Sequence, residues 1–349
     1  MTTLPTTMKF SCLVEKGKCE IRTRPLPELK ADDVLLKVKA CNICTVDYQQ
    51  FMGLREKQGY PMAGGHELCG EIIAKGDDVQ GFEIGDLVAV GYVGCGHCEA
   101  CMEGRIGECP DMRKESPDGY KFGEFGFADY TVKPARALFK LRKDLEPSQA
   151  AFVEPLSTVI DGLKNVRIAP YENVVVIGAG PMGLLNALTA RSYGARVIVT
   201  ELLDSKLAVA REIGFDVVDS KSCDPVEAVR ELTGGKGADV VIGAVANGKA
   251  YDQGIEMLKK SNGRFLVFAA GYPAPEWSLT PNEIHYRKIQ VFGAYGGEND
   301  SFRQAALALS QGFVDVSKLV EAKFHLDDMQ EAYEAAVAGD YRISIVFDE

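Results

Sequence analysis

The chain has 349 residues, a length that sets the expectation at two domains. With 46% hydrophobic and 26% charged residues it can build real cores under an ordinary soluble surface, which excludes wholesale disorder. Its 39 Lys and Arg against 50 Asp and Glu leave a formal charge of −11, and with no basic stripe to offset it this excludes nucleic acid and anionic membrane as partners.

The opening MTTLPTTMKF has no apolar segment of the signal-peptide kind, and no stretch of the chain is apolar for the 18 or so residues a membrane span needs. A cytoplasmic protein is therefore expected. There, ten cysteines point to metal or catalysis rather than disulfides. Residues 9 to about 150 predict short alternating strands broken by glycine, among them 34–40 (VLLKVKA), 71–75 (EIIAK) and 87–90, the pattern of a mostly antiparallel β domain. After Pro155 apolar runs alternate with helix-length segments: NVVVIG (173–178), ARVIVTE (195–201), ADVVIGAV (238–245), GRFLVFAA (263–270) and IQVFGA (289–294). Continuous Val/Ile runs separated by helices predict an α/β unit, a doubly wound parallel sheet covered on both faces. The tail returns to helix in FRQAALALSQG and DDMQEAYEAAVAG and ends on a strand, YRISIVF.

The first of the parallel strands runs into GAGPMG, a G-x-G-x-x-G between strand and helix. Gly178 suits the tight turn, Gly180 lets backbone approach a pyrophosphate, and Gly183 allows close packing of helix on strand, with Pro181 and Met182 between them at the helix N-terminus. The next strand ends in Glu201, 23 residues after Gly178, where a carboxylate accepts from a ribose diol. Leu202 and Leu203 follow instead of an arginine, so NAD(H) is expected rather than NADP(H). Lys206 is a candidate for the adenosine end, against the plainer reading of a solvated helix charge. GAVANG (243–248) and FAAGYP (268–273) follow strands at the sheet's carboxyl edge and are further nucleotide-contact candidates.

Cys95, Cys98, Cys101 and Cys109 have the spacing C-x2-C-x2-C-x7-C. Four thiolates this close wrap one tetrahedral ion and leave no open position, so a structural zinc is expected; the final spacing of seven argues against an iron–sulfur cluster. Cys44 in CNICTVD, His66 and Glu67 in AGGHELCGE, and Glu154 in FVEPLS form a second, mixed sulfur, nitrogen and oxygen set that suits a catalytic zinc. Cys12, Cys19, Cys41, Cys69 and Cys223 read as small core fillers.

Taken in order, IC-x2-D at 43–47, GHE at 65–67, the four-cysteine lobe, EPLS at 154–157 and GAGPMG at 178–183 resemble the zinc-containing medium-chain alcohol dehydrogenases, in particular their sorbitol (polyol) and threonine dehydrogenase branch. The resemblance spans the chain. It implies a GroES-like, zinc-binding catalytic domain over 1–155 and 297–349, and a Rossmann dinucleotide domain over 156–296 inserted into it. It also implies two Zn²⁺ per chain, one catalytic and one structural, a small alcohol or ketone substrate, and a homodimer or homotetramer. By this likeness Cys44 and His66 are ligands of the catalytic zinc. Glu67 and Glu154 are carboxylates that bind it directly or through water, and Asp47 hydrogen-bonds the ligand histidine, holding its tautomer. One departure stands out: the family's Ser or Thr two residues after the ligand cysteine, which relays the substrate proton, is Val46 here, and a histidine further on is Gln49. Thr45, Tyr48 and a water held by Glu67 or Glu154 are the replacement candidates, the water first. The expected activity is NAD(H)-linked oxidation of a secondary alcohol of polyol type. The alternatives are an amino alcohol such as threonine, a bulky steroid-like alcohol, or a family member that binds NAD(H) without turnover.

Overall fold

The computed structural model of the protein describes residues 4–112, 116–271 and 273–347. The chain divides into two compact units: Met1–Ser157 with Gly297–Gly312 and Leu319–Glu349, and Thr158–Gly296 with Phe313–Lys318. Among the described residues no helix is long and apolar enough to cross a membrane.

The first unit is built on strand Asp33–Asn42, which pairs antiparallel with Glu67–Lys75, Tyr130–Pro134 and the C-terminal Arg342–Val346. The sheet continues through Leu87–Val90 to Leu138–Lys140 on one side and through Val320–Phe324 on the other, and a hairpin of Thr7–Glu15 and Lys18–Pro25 lies apart from it. Strand 71–75 was expected to start at Glu71 but begins at Glu67, because residues 67–70 are buried throughout and show no in–out alternation to read. Leu36, Ile72, Val88, Phe127 and Ile345 share one core cluster, into which helix Met329–Ala338 inserts Ala332, Tyr333 and Ala336. Tyr333 stacks on Phe51 at 5.1 Å, which docks the short helix Thr45–Phe51 against this core.

The second unit is a six-stranded parallel sheet in the order Asp216–Asp219, Arg196–Glu201, Asn173–Ile177, Val240–Gly243, Arg264–Val267, Gln290–Gly293. In chain order this is third, second, first, fourth, fifth, sixth, with the switch point between the first and fourth strands where ligands bind at the carboxyl ends. Val174–Val176 and Val240–Ile242 have no exposure, as expected of strands covered on both faces. Strand Asp216–Asp219 is not among the five runs read from the sequence: it is four residues long with an aspartate at each end, and its pairing with the neighbouring strand makes it part of the sheet.

Candidate active site

Two segments of the first unit bring Cys44, His66 and Glu67 of the mixed donor set together, and Glu154 falls outside that group. Cys44 caps the N-terminus of helix Thr45–Phe51, and strand Glu67–Lys75 presents His66 just before its start and Glu67 as its first residue. The ligand atoms of Cys44, His66 and Glu67 all lie within 4.8 Å of one another. Glu154, in the first turn of helix Val153–Asn165, is 6% exposed, and its charge is felt at both His66 and Glu67.

Asp47 is buried beside His66, not solvated, but it departs from the expected role in one respect. Its Oδ2 stands 3.9 Å from His66 Nδ1, an ion-pair distance and too long for a hydrogen bond. As third residue of the helix it accepts instead from the Cys44 backbone N–H at 3.1 Å, so it fixes the backbone that carries the thiol.

The structure adds two residues that sequence reasoning missed. Arg342, on the C-terminal strand, forks Glu67: its Nη2 donates to Oε1 at 2.7 Å and its Nε to Oε2 at 3.1 Å, with both side chains almost fully buried. Its signal in the sequence was a lone charge on the alternating strand RISIV. Tyr92, in the glycine-flanked turn ahead of Cys95, donates its phenolic O–H to Glu154 Oε1 at 2.5 Å. Nothing in its sequence context marked it.

The electrostatics of this set call for a cation. Burial pushes the Cys44 thiol and the Asp47 and Glu67 carboxyls up, while Arg342 and His66 pull Glu67 the other way. Burial works against the charged form of His66, but the Cys44 and Asp47 charges outweigh it and hold the imidazole well above its usual range. Arg342 is the guanidinium beside Cys44 and Glu67, and a divalent ion held by thiolate, imidazole and carboxylate would favour the charged forms that burial opposes.

The four-cysteine lobe is equally well formed. Cys95, Cys98, Cys101 and Cys109 have all their sulfurs within 4.8 Å. Cys95 and Cys101 are 3.9 Å apart, Cys98 and Cys109 3.8 Å, and none is in a disulfide. Four sulfurs bound at about 2.3 Å to a tetrahedral ion are separated by about 3.8 Å, so the cage has the size zinc requires. Backbone N–H groups of Cys95, Cys98 and Cys101 donate to the sulfurs of Cys109, Cys95 and Cys98. His97 is exposed, with Nδ1 against the Cys95 carbonyl, although it also groups with Cys95 and Asp111. Cys12, Cys41 and Cys69 are buried fillers as expected and Cys19 partly so; Cys223 is exposed and fills no core.

In the second unit the glycine loop has the geometry its motif implies. Gly178 sits at φ +103°, and a Cβ on Gly183 would fall 2.0 Å from the Gly178 carbonyl oxygen, so neither tolerates a side chain. Gly180 caps helix Pro181–Ser192 and faces open space, with Pro181 and Met182 half-buried in its first turn. A cavity of about 390 Å³ is lined by Gly178, Glu201, Leu202, Ser220, Asn247 and Lys249, among others. Three backbone amides hold Glu201 at its rim: Ala179 on Oε2 at 2.8 Å, and Leu202 and Leu203 on Oε1 at 2.6 and 3.1 Å. Asn247, from GAVANG, lines the cavity and Lys206 does not; Tyr272 of FAAGYP lies outside the described residues.

Comparison with known proteins agrees with this geometry. The family model described as alcohol dehydrogenase GroES-like domain matches residues 30–143, and that described as zinc-binding dehydrogenase matches residues 181–311. Sorbitol dehydrogenase of Bacillus subtilis (strain 168) is 30% identical over 348 residues, 96% of this chain and 95% of its own. L-threonine 3-dehydrogenase of Aeromonas salmonicida (strain A449) is 30% identical over 90% of this chain and 92% of its own. Among solved structures, a protein of Sinorhizobium meliloti 1021 assigned as a zinc-binding dehydrogenase and bound to NADP superposes with a TM-score of 0.87 at 27% identity, covering 98% of this chain and 100% of that one. The 2R,3R-butanediol dehydrogenase of Bacillus subtilis gives a TM-score of 0.83 at 25% identity, covering 98% and 100%. With relatives matching over nearly its whole length, the chain belongs to the zinc-containing medium-chain alcohol dehydrogenases.

Proposed function

We propose that the protein is an NAD(H)-linked, zinc-dependent dehydrogenase of a secondary alcohol of polyol type. The observation that carries this reading is the convergence of Cys44, His66 and Glu67 within 4.8 Å, beside Glu154, in a buried and net acidic setting. We assign the catalytic zinc to Cys44 and His66, with Glu67 and Glu154 as carboxylates that bind it directly or through water, and the structural zinc to the four lobe cysteines. When bound, the catalytic zinc supplies Lewis acidity at the substrate oxygen and the nicotinamide supplies the hydride acceptor. The chain's own part is to hold donors and acceptors in place. Asp47 fixes the Cys44 backbone, and Arg342 occupies both oxygens of Glu67, which leaves Glu154 to accept the proton the alcohol loses, directly or through a water. Val46 offers no hydroxyl for that step.

Relatives named sorbitol dehydrogenase support the polyol reading, and those named L-threonine 3-dehydrogenase support an amino alcohol as the second. Incubating the protein with NAD and a panel of polyols, amino alcohols and steroids and following NADH absorbance tests both. Turnover of threonine alone moves the substrate to the amino alcohols, and no turnover with any member favours the binding-only alternative. Ten cysteines with none in a disulfide suit a cytoplasmic protein. The edge strand Gln290–Gly293 exposes Val291, with Ile284, Tyr286 and Tyr295 exposed nearby in sequence; such an edge supports pairing with a second copy, in a dimer or tetramer.

The carboxylate of Glu201 repels a 2′-phosphate and accepts from a 2′-hydroxyl, so NAD should be preferred to NADP. Replacing it (Glu201→Ala) should weaken NADH binding about 10- to 100-fold, the range for charge-assisted hydrogen bonds, and narrow the preference. Titration of nicotinamide fluorescence with both cofactors checks this, and an unchanged NADH affinity would remove Glu201 from the site.

A further inference from the structure

Two buried glutamates are candidates for the site, Glu67 within the group of Cys44 and His66 and Glu154 outside it, and the fold treats them differently. Glu67 has both oxygens engaged by Arg342. Glu154 has one oxygen engaged, and by a different kind of group: the phenol of Tyr92, 62 residues away, donates to Oε1 at 2.5 Å, the length of a charge-assisted O–H···O⁻ contact. The Glu154 backbone is held as well, since its carbonyl accepts from Ser157 Oγ at 2.6 Å.

The Tyr92 ring is held by packing. It meets Phe302 edge to face at 5.0 Å and 78°, and Phe302, fully buried, stacks on Phe139 at 5.3 Å and 16°. The backbone joins this stack at Gly91, where a Cβ would fall 2.6 Å from Phe139 Cε2 and 3.3 Å from Phe302 Cδ1. A side chain there would push the turn off the aromatic pair and carry the phenol with it. The hydroxyl is thus delivered by a ring packed on an aromatic pair, on a segment whose Gly91 leaves no room for a side chain.

We propose that Tyr92 is the positioning residue for Glu154: by holding Oε1 it fixes the carboxylate's rotamer and leaves Oε2 as the oxygen available to a metal held by Cys44 and His66. This rests on the reading of Cys44, His66 and Glu154 as a metal site. Outer partners that orient a ligand typically contribute 10- to 100-fold in metal affinity.

The test uses the purified zinc-loaded protein and the Tyr92→Phe variant, which keeps the ring packing and removes only the hydroxyl. Zinc content is measured first, then zinc release to a chromogenic chelator over time. The expected result is two zincs in the wild type, one of them released about 10- to 100-fold faster from Tyr92→Phe, with an unchanged melting temperature. Glu154→Gln should speed the same phase, and the double variant should release zinc no faster than the quicker single one. Wild-type release rates in Tyr92→Phe, or additive effects in the double variant, would overturn the role of Tyr92 while leaving the metal site standing. A wild type with one zinc per chain would overturn the metal-site reading itself, and this inference with it.

Discussion

Replacing Arg342 by methionine should destabilise the protein by about 3–5 kcal/mol, the cost of stranding one partner of a buried ion pair. Arg342 is 4% exposed and Glu67 fully buried, and the guanidinium occupies both carboxylate oxygens. Without it, Glu67 must either carry its charge unpaired in the core or take up a proton, and burial already pushes its carboxyl up with Arg342 in place. The loss should therefore be smaller toward acid pH, where protonation of Glu67 relieves it, and larger as pH rises. Urea unfolding of Arg342→Met, Glu67→Gln and the double variant separates the stranded charge from the lost contacts. The double variant should recover much of the deficit, because removing both partners leaves no unpaired charge. A single variant as stable as the wild type would mean that water already reaches the pair.

That pair also shows what the sequence does and does not make legible. Its members are 275 residues apart and meet because the C-terminal strand Arg342–Val346 pairs with Asp33–Asn42, which also pairs with the strand carrying Glu67. No local pattern encodes such a contact. The glycine loop and the four-cysteine lobe were legible because their functional atoms come from one short segment: Cys95 and Cys109, 14 residues apart, enclose the whole cage. Cys44, His66, Glu67 and Glu154 were legible as a mixed donor set by residue type, and likeness to a family gave each its role. The residues that hold them, Arg342 on Glu67 and Tyr92 on Glu154, were invisible because hydrogen bonds between distant segments leave no periodicity. Asp47 shows the intermediate case: its neighbour was anticipated, but its hydrogen bond goes to the Cys44 amide, since a carboxylate at the third helix position is drawn first to the free N–H behind it. Asp216–Asp219 failed for the opposite reason, a weak local signal overridden by pairing.

Removing one lobe cysteine should leave the rest of the chain folded and open the lobe. The lobe's regular structure is helix Glu99–Met102 and the single turn Ile106–Glu108, far too short to persist alone, and its backbone donates to its own sulfurs. What holds it is the cage. The Cys95 backbone N–H pulls the Cys109 thiol down, while burial and the neighbouring sulfurs push Cys101 up, so the four thiols do not release their protons alike and a bound ion would favour the thiolate form of all four. Cys98→Ser should accordingly bind one zinc per chain in place of two and become sensitive to trypsin at Arg105, with the strands of the first unit still protected. Cys44→Ser should also lose one zinc yet keep Arg105 protected, because the ion it loses belongs to the other set. Metal analysis combined with limited proteolysis distinguishes the two variants; equal protection of Arg105 in both would mean that the lobe stands without its ion, and the four thiolates would need another explanation.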